Sequence, residues 1–309
     1  MATHRLDDAE PHAFWDNSHP ARIRVEPGDD VVFETLEGTG QISPDSPDEA
    51  LATLDPTKIH PLTGSVYVEG AEPGDTLVVD VITLEHRGWG WNGVIPGFGL
   101  LADDFETPYI HHYVLEGDTC VFRDDIRIPF EPFCGVMGVA PREPGRFDTT
   151  PPRENAGNID IRHLTAGSRA FLPVLVEGAL FSCGDCHAAQ GDGEVNGTGI
   201  ETPMTVKLGF NLEKGATIPE LRFLTPPGRP LTEADRGGYF VTTAHGPDLF
   251  ENAQRAIRFM IDHLARDQGL SREQAYCLCG AVVDLKISEV VDEPNWIVSA
   301  YLPLAIFDS

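Results

Sequence analysis

Polar and apolar positions alternate with a period of two along much of the first two thirds of the chain. "RIRVEPGDDVVFET" (22–35) alternates, breaks at Pro27-Gly28 and alternates again. "SVYVEGAEPGDTLVVDVITLEH" (65–86) does the same around Pro73-Gly74. Such alternation predicts half-buried strands, with the Glu-Pro-Gly-Asp phrases as the turns that join them. Glu143-Pro144-Gly145 is a candidate third turn of this kind. After Pro247 the period changes. Leu249, Phe250, Ala253, Ala256, Ile257, Met260, Ile261 and Leu264 recur at helical spacing up to a stop at Gly269. Ser271-x-x-Gln274 reads as a capping box that opens a second helix, and "NWIVSAYLPLAIF" returns to strand. The pattern predicts a mainly β fold with an α+β C-terminal portion, its body a β-sandwich or barrel. We place a β-rich body at 1–228 and the α+β portion at 229–309, divided at "LTPPGRPLT".

Composition narrows the partners. Hydrophobic residues make up 41% of the 309, enough for a sizeable core. No apolar run approaches the roughly eighteen residues of a membrane helix. "MATHRLDDAEPH" lacks the apolar segment of a signal peptide, so a cytoplasmic protein is expected. Lys and Arg total 22 against 49 Asp and Glu, a net charge of −27. That field repels nucleic acid and anionic membranes. It also fits a halophilic protein, because high ionic strength screens acid–acid repulsion. Of the six cysteines, Cys183-Gly-Asp-Cys186 matches C-x-x-C, but no second such pair exists and Cys277-Leu-Cys279 has the wrong spacing. Reduced thiols packed as small apolar residues are the expectation, ahead of a redox or zinc-thiolate role.

The chemistry concentrates in "GDCHAAQGDGE" (184–194), with three acids, one histidine and three glycines. Asp185 and His187, two apart, share a face on a strand and can point at one ion from a loop. Hydrolytic metal sites use such histidine and carboxylate ligands and keep a position open for water. Asp192 and Glu194 offer a further ligand or a general base. The bland alternative is a solvated acidic turn. Upstream, Asn158, Asp160 and His163 precede a nearly uncharged run whose one interior acid is Glu177. Buried, that acid needs a partner, a proton or a cation; otherwise it lies exposed at a strand end. His60 precedes a turn, and Trp89-Gly90-Trp91 offers rings to wall a pocket. There is no P-loop, G-x-S-x-G or H-E-x-x-H. Cys183 and Cys186, beside His187, leave a cysteine nucleophile as a rival. A non-catalytic β-sandwich that binds a small ligand is another.

Four phrases together carry a resemblance: "FWDNSHPARIRVEPGDDVVFET", "HPLTGSVYVEGAEPGDTLVVDV", "GNIDIRHLTAGSRAFLPVLVEGALFSCGDCHAAQGDGEVNGTGIE" and "AVVDLKISEVVD". Through them the chain resembles the acetamidase/formamidase family of short-chain amide hydrolases. The resemblance implies a β-rich fold with an α+β portion and hydrolysis of formamide or acetamide to carboxylate and ammonia. It also implies metal ions and a homo-oligomer. Family phrases fall on Gly157–Asp160, Gly184–His187, Gln190–Glu194 and the stretch from His60; His245 stands where the family often has an apolar residue. The expected site is a divalent metal, zinc first and calcium second, held by Asp160, Asp185, His187 and His60. Glu194, Glu177 and Asp192 are the candidate general bases. Asn158, Gly184 and Gln190 are the candidates for substrate and oxyanion contact. The expected partner is a small amide, with no nucleic acid and no membrane.

The charge makes its own prediction. The melting temperature should rise between about 0.1 M and about 2 M KCl as self-repulsion is screened. An unchanged melting curve would refute salt adaptation.

Overall fold

The computed structural model describes residues 1–228, 230–291 and 293–307. Both Glu-Pro-Gly-Asp phrases form the same turn. The Asp29 N–H donates to the Glu26 carbonyl and the Asp75 N–H to the Glu72 carbonyl, each at 3.0 Å. Gly28 and Gly74 take φ of 99° and 100°. Proline second and a positive-φ glycine third make a type II turn. Each Asp carboxylate then accepts the Glu N–H, at 3.3 and 2.9 Å. The turns join strands as expected, but strands of different sheets. The first leads from Ile23–Val25 to Asp30–Glu34, the second from Thr63–Val68 to Thr76–His86. In each case the chain passes from a five-stranded sheet into a six-stranded one. A type II turn splays its flanking strands, unlike the primed turns of hairpins. The third phrase, around Gly145, lies in the connection between Phe133–Gly138 and Ala156–Asn158, neighbours in the five-stranded sheet.

The six-stranded sheet runs Thr3–Leu6, Asp30–Glu34, Met204–Glu213, Thr76–His86, Arg169–Pro173, Arg222–Leu224. The five-stranded sheet runs Ala156–Asn158, Phe133–Gly138, Phe181–His187, Thr63–Val68, Ile23–Val25. They face each other: Phe181 of the second packs on Phe33 and Phe210 of the first, with ring centroids 6.1 and 5.1 Å apart. This is the expected sandwich. Trp89–Val94, Tyr109–Glu116, Thr119–Arg123 and Ile126–Pro129 form a four-stranded meander.

The C-terminal portion holds a three-stranded sheet, Tyr239–Gly246, Trp296–Pro303 and Asp284–Glu289, with two helices. Helix α1, Leu249–Gln268, starts at Asp248, whose carboxylate accepts the Glu251 N–H, and stops at Gly269 in the left-handed region. Helix α2, Arg272–Val282, opens with the Ser271–Gln274 capping box. The last strand ends at Pro303 and a 3-10 turn, Leu304–Ile306, follows, because proline cannot continue the ladder. One apolar core runs from Leu6 to Ile306 and includes both helices. A buried ion pair, Arg162 Nη1 to Asp284 Oδ1 at 2.5 Å, crosses from the body to this portion.

Two buried histidines give the fold an acid limit. Burial, foremost, pushes the pKa of His12 and of His111 down to about 4 from 6.5. The His111 ring stacks on Phe122 at 3.9 Å, and Nε2 bonds the Phe122 carbonyl at 2.8 Å. The unfolded chain therefore binds more protons than the native one between the two pKa values. The stability is present above about 6.5 and is lost as pH falls toward about 4, with a slope of at most ~1.4 kcal/mol per pH unit for each histidine. Denaturant midpoints should fall over this range, and less steeply in His111→Gln; an equal slope in that variant would refute the assignment.

Candidate active site

The Phe181–His187 strand is buried along its whole length. Cys186 turns into the sandwich, with Sγ 3.5 Å from Thr35 Oγ1 and 3.7 Å from Cys134 Sγ. Its neighbours Asp185 and His187 turn to the other side, as the period-two spacing predicts. Asp160 arrives from the end of Ala156–Asn158, its N–H donating to the Gly135 carbonyl at 3.2 Å. After His187 the chain leaves the ladder, carries Glu194 through a loop and returns at Glu201. Glu201 bridges to His187 on one side and Trp91 on the other. It exchanges two backbone hydrogen bonds with Trp91, at 3.0 and 2.7 Å. Asp160, Asp185 and Glu194 have φ of 45°, 49° and 43°. Non-glycine residues avoid this region, so the chain holds local strain where it aims these acids.

The side chains converge. His187 Nε2 lies 3.1 Å from Glu201 Oε1 and 3.6 Å from Asp185 Oδ1, and Nδ1 lies 3.8 Å from Asp160 Oδ1. Gln190 Oε1 accepts from His187 Nδ1 at 2.7 Å, while its Nε2 donates to the Asp160 carbonyl at 3.0 Å. Gln190 thereby holds a proton on Nδ1 and turns Nε2 toward the carboxylates. His60 Nε2 stands 3.8 Å from Asp185 Oδ2. Glycines let the backbone close in. A Cβ on Gly38 would fall on the Asp185 and Glu201 carboxylate oxygens. One on Gly135 would fall 2.7 Å from Asp160 Oδ1.

The electrostatics follow from burial. Burial pushes both Glu194 and Glu201 up to about 8. Burial, then the Glu194 charge, raises Asp160 well above the carboxylate range. Burial also works to raise Asp185, but the charges of His60 and His187 outweigh it and hold the pKa low. Burial opposes a charge on His187, yet the Glu201 and Asp185 carboxylates raise its pKa well above normal. Asp160 Oδ1, His187 Nε2 and Glu201 Oε2 are buried with no hydrogen-bond partner. Two overlapping groups, Asp160–Asp185–His187 and His187–Glu194–Glu201, have ligand atoms within 4.8 Å of one another. Unpartnered oxygens around one imidazole nitrogen are the donor set that a divalent cation requires. The residues therefore fit a metal.

A cavity of about 320 Å³ opens on the cluster. Asp160, Asp185, Glu194, Glu201, His60 and Asn158 line it, and Leu51, Leu54, Ile59, Trp91, Ile95 and Phe98 are among its apolar lining.

Of the residues singled out in the sequence, Asp160, Asp185, His187 and Glu194 meet in the cluster. His60 reaches the wall but joins neither tight ligand group. Asn158 also lines the wall. Its Nδ2 donates to the Thr150 carbonyl at 3.0 Å, and its buried Oδ1 has no partner. Gln190 orients His187 instead of facing the cavity. Gly184 is not at the cavity: it packs against the Pro61 carbonyl and Leu62, where a side chain would clash. Glu177 is exposed and accepts from the Tyr67 hydroxyl at 2.8 Å, because the apolar run ends in a surface turn. Asp192 points away, its N–H bound to Asp284 Oδ1 at 2.9 Å and its carboxylate 3.9 Å from His163. Cys183 and Cys186 are fully buried in the sandwich and do not line the cavity. His245 is exposed on its strand. Sequence reasoning missed Glu201. It stands alone in the chain, and the only signal was its place at the end of the longest family phrase.

The pattern of the Acetamidase/Formamidase family matches residues 2–145 and 143–309. The chain belongs to that family. Like the rest of the acetamidase/formamidase family, it is an amide hydrolase. It is 32% identical to an acetamidase of Mycolicibacterium smegmatis, over 68% of each chain. It is 30% identical to a formamidase of Methylophilus methylotrophus, over 97% of this chain and 90% of that one. Among solved structures, a gamma lactamase from Delftia acidovorans superposes with a TM-score of 0.91 at 29% identity, covering 100% of this chain and 94% of that one. An acetamidase from Bacillus halodurans gives 0.69 at 31% identity, covering 97% of each.

Gly38→Ala tests the convergence. The added methyl would displace the Asp185 and Glu201 carboxylates, and activity should fall by about a hundredfold with the far-UV spectrum unchanged. An active, folded Gly38→Ala protein would refute the packing described.

Proposed function

We propose that the chain hydrolyses a small aliphatic carboxamide, formamide and acetamide among them, to carboxylate and ammonia, with a divalent cation at the cluster. The observation that carries this reading is the set of buried, unpartnered ligand atoms on Asp160, His187 and Glu201. Asp160, Asp185, His187 and Glu201 would hold the ion, zinc first and calcium second. A cation held there supplies a lowered water pKa and a polarised amide carbonyl. Glu194, at the cavity wall beside His187 and Glu201, would take the proton of the attacking water and return it to the departing nitrogen. Asn158 Oδ1 accepts an N–H of the amide and orients it. His60 lines the wall, its Nε2 3.8 Å from Asp185 Oδ2. Gln190 keeps His187 in one tautomer.

A second reading is a cyclic amide, favoured by the TM-score of 0.91 with the lactamase. The same cluster would open the ring and yield an amino acid with no free ammonia. The family resemblance further supports a homo-oligomer, which light scattering would read. No helix among the described residues is long and apolar enough to cross a membrane.

Ammonia release from acetamide should vanish after exhaustive chelation and return with zinc or, failing zinc, with calcium. Asp185→Asn should lose bound metal by elemental analysis with the fold intact. Gln190→Ala should weaken metal binding by roughly 10- to 100-fold, the usual effect of removing a group that orients a ligand histidine. Full release from a verified metal-free preparation would overturn the metal reading.

A further inference from the structure

Formamide has three heavy atoms and acetamide four. The cavity measures about 320 Å³. At roughly 30 Å³ for a water-sized group, it holds about ten such groups. Acetamide would leave more than half of it unfilled. Apart from the polar cluster, the lining is mostly apolar, with Leu51, Leu54, Pro56, Ile59, Ile95 and Phe98 among it.

That wall is fixed in place. Leu51 lies on the 3-10 segment Asp48–Thr53 and Leu54 caps it. Asp48 Oδ1 accepts the Ile110 N–H at 2.8 Å, and the Ser46 carbonyl bonds His112 Nε2 at 2.9 Å. Gln41 and Asp55 exchange two hydrogen bonds, at 2.8 and 3.2 Å. The segment is tied to the meander at one end and to the 37–42 loop at the other. Phe98, 47% exposed, stands on the opposite loop. The charged groups of the lining are those of the cluster, Asp160, Asp185, Glu194 and Glu201, with His60 and Asn158 beside them; the remaining polar side chains are the uncharged Thr39, Thr150 and Thr198. A nitrogen placed at the cluster keeps both hydrogens occupied, and the acyl body is left to the apolar wall.

We propose that this site is built for primary carboxamides with an apolar acyl group of about five to eight carbons, and that Leu54 and Phe98 set the upper limit. The proposal rests on the amide-hydrolase reading above and deepens it. The chemistry is unchanged: water oxygen bonds to the carbonyl carbon, the C–N bond breaks, and carboxylate and ammonia leave. Each added methylene buried on the wall should raise kcat/KM by roughly three- to fivefold until the cavity is full.

The test is kcat/KM for the whole metal-loaded protein on acetamide, butyramide, hexanamide, cyclohexanecarboxamide and decanamide, with a γ-lactam alongside. Hexanamide or the cyclohexyl amide should exceed acetamide by at least about tenfold, and decanamide should fall off. Leu54→Trp should remove the hexanamide advantage with acetamide within about threefold of the parent. Should that variant fail to fold, Leu54→Ala should move the upper limit toward decanamide. A flat or falling series from acetamide overturns the proposal and leaves amide hydrolysis standing. A γ-lactam better than every linear amide overturns the primary-amide class. No turnover of any member overturns both readings.

Discussion

Four carboxylates, those of Asp160, Asp185, Glu194 and Glu201, share one buried volume with a single buried imidazole. Ionised together in a low-dielectric interior they would repel strongly, and one imidazolium cannot neutralise them. Without a cation the charge is relieved by protons: Glu194 and Glu201 are held to about 8 by burial, and His187 stays protonated between Glu201 and Asp185. A divalent cation relieves the same repulsion by displacing those protons. The cluster therefore calls for protons or a cation to relieve its charge, and the surrounding structure keeps its members together.

Glu37 shows what a buried carboxylate looks like when it is structural. It is 3% exposed and accepts from Trp91 Nε1, the Thr39 hydroxyl and the backbone N–H groups of Thr39, Gln41 and Ile42. Five donors satisfy it, and it fixes the loop behind the cavity. Glu201, equally buried and hydrogen-bonded through its backbone to that same Trp91, has one carboxylate oxygen with no partner. Similar burial with opposite satisfaction separates a group that holds the fold from one that waits for a ligand.

Much of this was legible in the chain. Period-two alternation located the strands of the sandwich, and the spacing of Asp185 and His187 put both on one face. The cap at Ser271 and the stop at Gly269 fell where the local signals placed them. What failed was long-range. Nothing near Glu201 marks it, because its position depends on a loop that leaves the ladder at His187 and pairs back onto it. Glu177 drew attention as an acid in an apolar run, but the run ends there at the surface. Gly184 was a candidate for oxyanion contact and is instead a strand glycine, small because Pro61 and Leu62 pack against it. Local pattern reports element type and face. It does not report which turn brings a lone acid home.

The division of labour inside the cavity follows from where its halves are mounted. Asp185 and His187 sit on a central strand of the sandwich, and Glu201 bridges to it, so their relative placement is set by strand register. The apolar wall sits on the 48–59 segment, tied to its surroundings by side-chain hydrogen bonds of Asp48 and Gln41, and on the loop at 95–98, held by backbone hydrogen bonds of Gly97 and Phe98; both lie outside the two sandwich sheets. Substitutions there change volume and shape without moving a carboxylate. The acids that would break an amide bond are thus set by the sandwich, while the residues proposed to choose the acyl group lie outside it. A single scaffold can keep its chemistry and change its substrate through the side chains facing the far end of one cavity.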